Sequence, residues 1–366
     1  MFKPFIYSLA LKRIPLTLSK ETDYIHIITK NSLELAQLFL KNKTISVLGY
    51  GSQGRAQSLN LKDQKFKTIL GLRKNGKSWN NAVKDGWEPQ KDLFTINEAT
   101  KRGDIISNLL SDFGQIDTWD SINKNLTENK TLYFSHGFGM VYNEKTEITP
   151  PTNIDVVMVA PKGSGLTVRN KFLEGSNKIN ASVAIHQNFS GNAIDTVFAM
   201  GIGIGCNNFF KTTFEKEVYS DLTGERSVLM GLIQGAFKAQ YDVLRERGHS
   251  PIEAWNETIG EALESLYPLV LEKGMDWMYS NCSTTAQRGA LDWAPKYYKV
   301  IKPLVEQCYD SVKDGTEVDI VIEKNKSDNY QNELSKELEE INNQEMWQIH
   351  RQINMDFKTN EDYPLL

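Results

Sequence analysis

Cysteine is scarce in this 366-residue chain, and the three cysteines, Cys206, Cys282 and Cys308, form no CxxC pair. An odd number of widely spaced thiols argues against a disulfide framework or a zinc knuckle and favours a reducing compartment. The sequence also lacks a net positive charge, because 42 Lys and Arg residues face 46 Asp and Glu residues. Without a polycationic surface, the chain is not expected to bind nucleic acid.

Long apolar runs are missing as well. The most apolar stretch, 197–206, is short and rich in glycine, well below the roughly 20 residues of a membrane helix. We therefore expect a soluble, cytoplasmic protein without membrane contact. The opening residues are basic, with Lys3, Lys12, Arg13 and Lys20 preceding the first acidic residue. An organellar location, with this opening as a targeting segment, is the alternative.

The first half of the chain alternates between strand-like and helix-like stretches. A chain of this length exceeds what one hydrophobic core usually supports, so two domains are expected. The strand candidates between Thr44 and Phe210 are TISVL, KTILGL, DIISNLL, TLYFS, DVVMVA and SVAIH. Their alternation with helix-length stretches predicts βαβ units and a mainly parallel sheet covered on both faces.

The second half carries a helical pattern. After Thr212 apolar residues recur at helical spacing in RSVLMGLIQGAFKAQYDVLRERG and PIEAWNETIGEALESLYPLVLEKG, and both stretches end on glycine. Leu334, Leu338 and Ile341 predict another amphipathic helix before a polar tail. The predicted organisation is an extension at 1–30, a Rossmann-type α/β domain at 31–212 and an all-α domain at 213–366.

A glycine-rich loop follows the first of these strand candidates. In VLGYGSQGRAQSLN, the residues Gly49, Gly51 and Gly54 lie between a predicted strand and a predicted helix. In that context GxGxxG is typical of a dinucleotide site, where the glycines permit a tight turn, approach to the pyrophosphate and close helix packing. A purely structural turn is the alternative interpretation.

The residues after the next strand indicate which dinucleotide is bound. An NAD-specific site would place Asp or Glu about twenty residues beyond the glycines, to hold the ribose hydroxyls. This chain has Arg73, Lys74, Lys77 and Ser78 there instead. Cations and a hydroxyl suit the 2′-phosphate of NADP, because a guanidinium pairs with phosphate oxygens through two hydrogen bonds. A solvated basic loop is the alternative.

Two pairs of carboxylates lie four residues apart on predicted helices, Asp221 with Glu225 and Glu257 with Glu261. This spacing puts both members of a pair on one helix face. Four converging carboxylates would repel one another unless cations lay among them, and all-oxygen ligands select ions such as Mg²⁺. Each pair alone is more often a solvated face than a metal site.

Three further stretches carry polar side chains in a functional setting. His136 in YFSHGFG and Lys162 in VAPKGSG follow strand candidates, at the sheet edge where α/β proteins bind ligands. The stretch MDWMYSNCSTTAQRGALDW is an uncharged polar run suited to a small polar substrate. A helix N-cap with a connecting loop is the alternative interpretation of that run.

Taken in order, the motifs GYGSQG, SHGF, APKGSG, SDLTGER, NETIGEALESLYP and CSTTAQRGALDW resemble the ketol-acid reductoisomerase family. The resemblance covers nearly all of the chain beyond the first few dozen residues. Length and the wording of the last motif resemble the short form, which has a single helical domain. The chain departs from the common pattern at Leu166, where the family often has a polar residue.

The resemblance implies an enzyme of valine and isoleucine biosynthesis. A Mg²⁺-dependent alkyl migration in 2-acetolactate or 2-aceto-2-hydroxybutanoate precedes reduction by NADPH to the 2,3-dihydroxy acid. Asp221 is implied as the ligand that bridges two Mg²⁺ ions, with Glu225, Glu257 and Glu261 as further or water-mediated ligands. Ser283 is implied to contact the substrate.

The resemblance also implies catalytic residues, a cofactor site and an assembly. His136 and Lys162 would lie between the metal ions and the nicotinamide, and Glu261 would relay a proton. The expected cofactor-binding set is Gly49, Tyr50, Gly51, Ser52, Gln53, Gly54, Arg73, Ser78, Ser111 and Gly137. A knotted C-terminal domain and a homodimer or larger homo-oligomer, with active sites shared between chains, are implied too.

Two other functions are compatible with the nucleotide-binding pattern. A hydroxyacid dehydrogenase that uses NADP would share the first domain, but it has no need of metal-binding carboxylates. A non-catalytic regulatory protein that binds NADP would need neither those carboxylates nor the pair His136 and Lys162. The presence of all these residues favours the reductoisomerase.

Overall fold

The computed structural model describes residues 9–18, 21–175 and 179–359. Two compact units make up the chain, one ending at Val218 and the other beginning at Tyr219. The first eight residues of the basic opening lie outside the described residues. Among the helices that the structure describes, none combines the length and the apolar character needed to span a membrane.

The first unit is built on a ten-stranded sheet. Its strands are β1 (Lys12–Leu18), β2 (Glu21–Ile27), β3 (Ile45–Leu48), β4 (Thr68–Gly71), β5 (Leu93–Phe94), β6 (Ile105–Asn108), β7 (Thr131–Phe134), β8 (Asp155–Pro161), β9 (Ile179–Gln187) and β10 (Cys206–Lys211). Their order is β1-β2-β10-β9-β8-β7-β6-β3-β4-β5. Pairing is parallel from β5 through to β8 and between β9 and β10, which confirms the predicted mainly parallel sheet.

Helices cover both faces of this sheet. They are α1 (Ser32–Phe39), α2 (Ser52–Asp63), α3 (Lys77–Lys84), α4 (Ile96–Arg102), α5 (Asp112–Asn123), α6 (Phe138–Val141), α7 (Asn143–Thr146), α8 (Gly165–Leu173) and α9 (Ala193–Gly203). Successive strand residues face opposite sides, so Val47 and Tyr133 enter one core while Leu48 and Phe134 enter the other. Burial on both sides explains why the strands are continuously apolar.

All six predicted strands are present, but β1, β2, β5 and β10 were not predicted. β1 contains Pro15 and β5 spans only two residues, so neither shows a strand pattern by itself. The predicted extension at 1–30 contributes β1 and β2. Because β2 pairs antiparallel with β10, this segment is part of the sheet rather than a covering layer.

The second unit is helical, as predicted, and no strand occurs in its described range, 219–359. The helices from the unit boundary onward are α10 (Phe214–Arg226), which crosses it, α11 (Gly231–Glu246), α12 (Pro251–Trp255), α13 (Tyr267–Lys273), α14 (Met275–Ser280), α15 (Thr284–Asp314), α16 (Thr316–Lys326), α17 (Tyr330–Asn342) and α18 (Glu345–Thr359). Two π-helical stretches, Asn256–Gly260 and Ala262–Leu266, connect α12 to α13.

Two details of this unit differ from the prediction. The helix expected across RSVLMG is interrupted by a turn at 227–230, and a side chain at Gly231 would approach the carbonyl oxygen of Arg226 to 2.2 Å. The polar tail folds as the helix α18, because Met346 is fully buried in the core that contains Trp255 and Phe237. Trp347, Ile349 and Ile353 pack against the same core, so α18 is an amphipathic helix whose other face is polar.

Candidate active site

The parallel strands bring three loops to the same edge of the sheet. β3, β6, β7 and β8 are adjacent and run in one direction, so their carboxyl ends lie side by side. The glycine loop follows β3, the segment Ser135–Gly137 follows β7, and Lys162 follows β8. This edge is where α/β sheets bind ligands.

The glycine loop has the geometry of a nucleotide cradle. Gly49 has φ +94°, and a Cβ there would lie 2.7 Å from the carbonyl oxygen of Leu109. A Cβ on Gly54 would lie 2.4 Å from the carbonyl oxygen of Gly49, so helix α2 packs directly on the turn. Gly51 has open space around it and begins α2 without a side-chain cap. The first N–H groups of α2 therefore remain available to a pyrophosphate.

Tyr50, one of the predicted cofactor-binding residues, is turned into the protein. Its hydroxyl donates to Asp85 Oδ2 at 2.8 Å and accepts from Trp87 Nε1 at 3.1 Å. Asp85 also accepts two hydrogen bonds from Arg55, at 2.7 and 2.9 Å, and these hold the pKa of its carboxyl below the usual range. Burial, and then the carboxylate of Asp85, raise the pKa of Tyr50. The Tyr50 side chain thus supports the loop from behind.

The predicted 2′-phosphate residues lie in and just after the loop that follows β4. Arg73 is exposed in the loop after β4, and Ser78 is exposed in the first turn of α3, whose N-terminus has no side-chain cap. Arg73 lines a cleft together with Thr118 of α5. Ser111 caps α5 by accepting a hydrogen bond from the N–H of Gly114 at 3.2 Å. The cleft is also lined by Lys74, so it places two cationic residues beside polar residues of α5.

Glu217 organises the two other loops of this edge. Its side chain is only 2% exposed, and Oε1 lies 2.9 Å from Lys162 Nζ while Oε2 lies 3.4 Å from His136 Nδ1. Burial raises the pKa of Glu217, but hydrogen bonding and charge from His136 and Lys162 outweigh it, so the pKa is lowered. The carboxylate therefore stays ionised and holds the Lys162 ammonium and the His136 ring in place.

The sequence analysis missed Glu217. It lies on α10 one turn before Asp221 and two turns before Glu225, so the three carboxylates share one face of the helix. In EKEVYSDLTGER the spacing of four extends back from Asp221 to Glu217, but the predicted metal ligands include only Asp221 and Glu225. Asp221 and Glu225 are half-buried.

Close packing explains how His136 reaches α10. Gly137 begins α6, and a Cβ there would lie 2.9 Å from Phe214 Cδ1 and 3.1 Å from Val218 Cγ2. Any larger residue would push the loop away from the helix that carries Glu217. Gly137 is thus required at this place for its small size.

The remaining predicted site residues lie in the second unit. Glu257 falls in the first π-helical stretch and Glu261 between the two stretches, and both side chains are exposed. π-helical turns inside α-helices occur often at functional sites. Ser283 caps α15 by accepting a hydrogen bond from the N–H of Ala286 at 3.2 Å, so this run contains a helix N-cap, but its first six residues form α14 rather than a connecting loop.

The fold and these residues define a class: a dinucleotide-dependent oxidoreductase with an acidic helix beside its nucleotide edge. Comparison with known proteins identifies the family. Acetohydroxy acid isomeroreductase, NADPH-binding domain, matches residues 39–209, and ketol-acid reductoisomerase, C-terminal domain, matches residues 214–358. The chain belongs to the ketol-acid reductoisomerase family, whose members act in branched-chain amino-acid biosynthesis.

Individual relatives agree with this placement. The chain is 52% identical over 315 residues to the mitochondrial ketol-acid reductoisomerase of Neurospora crassa, covering 86% of this chain and 78% of the relative. It is 54% identical over 317 residues to the ketol-acid reductoisomerase (NAD(+)) of Desulfosudis oleivorans, covering 87% and 90%. The solved structure of an NADH-preferring ketol-acid reductoisomerase from an uncultured archean has a TM-score of 0.77 at 31% identity, covering 87% and 95%.

Proposed function

We propose that this protein converts 2-acetolactate or 2-aceto-2-hydroxybutanoate into the corresponding 2,3-dihydroxy acid, with NADPH and two Mg²⁺ ions. The observation that carries the proposal is the buried Glu217 carboxylate. Glu217 holds Lys162 and His136 at the nucleotide edge. It lies on the same face of α10 as Asp221 and Glu225. A dehydrogenase without metal would have no use for that row of carboxylates.

The residues fit the two implied cofactors. The open space at Gly51 and the uncapped start of α2 suit a pyrophosphate, and the half-buried carboxylates Asp221 and Glu225 offer the oxygen ligands that Mg²⁺ prefers. Glu257 and Glu261 would complete the metal site. When bound, Mg²⁺ polarises the substrate's carbonyl and hydroxyl oxygens, and NADPH supplies the hydride.

The chain's own residues orient the substrate and move protons. Lys162, fixed by Glu217, presents an ammonium group to the substrate oxygens, and His136 lies beside it. Glu261 takes the proton from the tertiary alcohol as the alkyl group migrates from C2 to C3, and the new C2 carbonyl is then reduced. Ser283 would bind the substrate carboxylate while its hydroxyl also caps α15.

Preference for NADPH over NADH is part of the proposal. Arg73 and Ser78 support it, because no acidic residue lies between Leu72 and Lys84 to bind free ribose hydroxyls. The names of the relative from Desulfosudis oleivorans and of the archean structure show that the family also includes members that use NAD(H). The proposed preference for NADPH therefore rests on the residues of this loop rather than on family membership.

We also propose a homodimer whose active sites are shared between two chains. Helix α15 spans 31 residues, and its exposed Trp293, Tyr297, Val300 and Leu304 follow steps of four, three and four. Such a stripe is typical of a helix that packs against another helix. A second copy of the chain would cover it by two-fold pairing.

The relative from Neurospora crassa supports the organellar location over the cytoplasmic one, because its name places it in mitochondria. If the basic opening is a targeting segment, processing must spare β1, which begins at Lys12 and belongs to the sheet. A fluorescent protein fused behind residues 1–11 tests this: mitochondrial import supports the organellar location, and diffuse cytoplasmic signal contradicts it.

A single assay tests the proposed activity. Purified protein is incubated with 2-acetolactate, Mg²⁺ and NADPH, and the absorbance of the reduced nicotinamide is followed. Loss of absorbance that stops on addition of a chelator supports the reductoisomerase. Turnover that persists with chelator favours a hydroxyacid dehydrogenase, and NADPH binding without any turnover favours a regulatory protein.

A further inference from the structure

A continuous chain of side-chain hydrogen bonds runs through the first unit. The hydroxyl of Tyr133 donates to Gln57 Oε1 at 3.0 Å. Gln57 Nε2 donates to Ser135 Oγ at 2.8 Å and to Gln53 Oε1 at 3.0 Å. Gln53 Nε2 then donates to the carbonyl oxygen of Gly163 at 2.9 Å. We call these five residues the glutamine network.

The centre of the glutamine network is buried. Gln57 is 1% exposed and Tyr133 is fully buried. Both N–H groups of the Gln57 amide donate and its oxygen accepts, so each polar atom of the amide has a hydrogen-bond partner. An unpaired amide at such a position would be costly, so the geometry of Gln57 determines where its partners lie.

The network joins the three loops of the candidate active site. Gln53 belongs to the glycine loop, Ser135 directly precedes His136, and Gly163 directly follows Lys162. A second connection lies nearby, where the N–H of Gly165 donates to Ser52 Oγ at 3.1 Å. Movement of the glycine loop therefore displaces hydrogen-bond partners in both other loops.

We propose that Gln57 is a positioning residue that couples occupancy of the cofactor loop to the placement of His136. The inference rests on the proposed function, because it takes NADPH as the ligand of that loop. Binding of the pyrophosphate fixes the backbone around Gln53. Through Gln57, the same event fixes Ser135 and, with it, His136 beside Glu217, whereas Gln53 and Ser52 contact the loop after Lys162 directly.

Hydrogen exchange with and without NADPH tests this coupling independently of activity. In the unmodified protein, NADPH should slow exchange at 49–54 and also at 135–137 and 162–165. In Gln57→Met, which keeps the volume but removes the amide, protection should persist at 49–54 and at 162–165, where Gln53 and Ser52 make the contacts, and disappear from 135–137. Gln64→Met is the matched control, since Gln64 ends α2 and donates to the carbonyl oxygen of Gly203, away from this edge.

Kinetics supply a second readout. Gln57→Met should lower kcat about tenfold, in the range of typical coupling effects, while the Kd for NADPH changes little. If Gln57 were merely structural, its replacement would lower thermal stability, and kcat would not fall independently of the Kd for NADPH. This is the result expected for Gln64→Met. If Gln57→Met does not fold, Tyr133→Phe removes the donor to Gln57 with almost no change in shape and should give the same pattern.

The outcomes separate the inference from the proposed function. An unmodified protein that binds no NADPH overturns the proposed function and the coupling with it. If NADPH binds and turnover occurs, but Gln57→Met or Tyr133→Phe still transmits protection to 135–137, the coupling role of Gln57 is overturned alone. Full kcat in both Gln57→Met and Tyr133→Phe would likewise overturn the coupling role of Gln57.

Discussion

Lys162 Nζ lies 2.9 Å from Oε1 of Glu217, a carboxylate that is 2% exposed. About one third of the Lys162 side chain remains exposed, at 34%, whereas Glu217 is buried. A carboxylate buried in this way must stay paired, because an isolated buried charge is strongly destabilising. The pair therefore fixes Lys162 with its charge directed towards the ligand edge.

Replacing this carboxylate should affect catalysis more than binding. In Glu217→Gln, Lys162 and His136 lose their carboxylate partner, and we expect kcat to fall about 100-fold, as for the loss of a positioned proton-transfer group. NADPH binding should change little, because the glycine loop is untouched. Steady-state kinetics and fluorescence titration with NADPH measure the two effects.

The matched control is Glu215→Gln, an exposed carboxylate in the first turn of the same helix. It should leave both constants unchanged. Equal losses of kcat in the two variants would mean that overall charge on α10, rather than the pair with Lys162, matters.

The cofactor preference should depend on the loop after β4. Arg73→Ala removes the guanidinium expected to pair with the 2′-phosphate, and it should erode the preference for NADPH by about 1.5–3 kcal/mol, typical of a charged hydrogen bond. Lys84→Ala, at the far end of α3, is the control. The measurement is kcat/KM with each cofactor. Equal efficiency with NADPH and NADH in the unmodified protein would contradict the assignment.

The support behind the glycine loop should be sensitive to acid. Hydrogen bonds from Arg55, then from Tyr50, lower the pKa of Asp85 below its usual value of 3.8. Because the folded-state pKa is depressed, the stabilisation is complete well above pH 3.8 and is lost as the pH falls through the folded value.

Asp85→Asn should therefore unfold with a free energy about 1 kcal/mol lower at neutral pH, and its stability should depend less on pH in the acid range. Urea unfolding at a series of pH values measures both effects. Asp117→Asn, an exposed carboxylate on α5, is the control. An acid profile identical to that of the unmodified protein would contradict a stabilising role for Asp85.

The strands that are buried on both faces could be predicted from the sequence, because their local pattern is continuously apolar. The strands β3, β4, β6, β7, β8 and β9 are apolar and flanked by polar helices, so their burial on two faces is evident from composition. By contrast, β1 and β5 depend on pairing partners distant in sequence, and no local pattern reveals such pairing.

The same limit applies to the site. The glycine loop and the residues that follow strand ends are recognisable because backbone geometry dictates their spacing. Glu217 is different, since its importance comes from burial beside Lys162, which is 55 positions away. Burial of a charged residue cannot be seen in one sequence. Likewise, the inward turn of Tyr50 depends on Asp85 and Trp87, two residues outside its own loop.

The proposed sharing of active sites between two chains makes a quantitative prediction. If Asp221 and Glu225 of one chain meet Glu257, Glu261 and Ser283 of the other, then Asp221→Asn and Glu257→Gln should each be inactive alone. In a mixed dimer, one site receives both lesions and the other receives neither.

Random reassembly of equal amounts makes about half of the dimers mixed, so roughly a quarter of normal activity should return by two-fold symmetry. Unfolding and refolding the two variants together, followed by the NADPH assay, measures this recovery. Differently tagged chains, isolated by two successive affinity steps, show that mixed dimers have formed. If each active site were built from one chain, every site would carry a lesion. Background activity in isolated mixed dimers would therefore contradict the shared site.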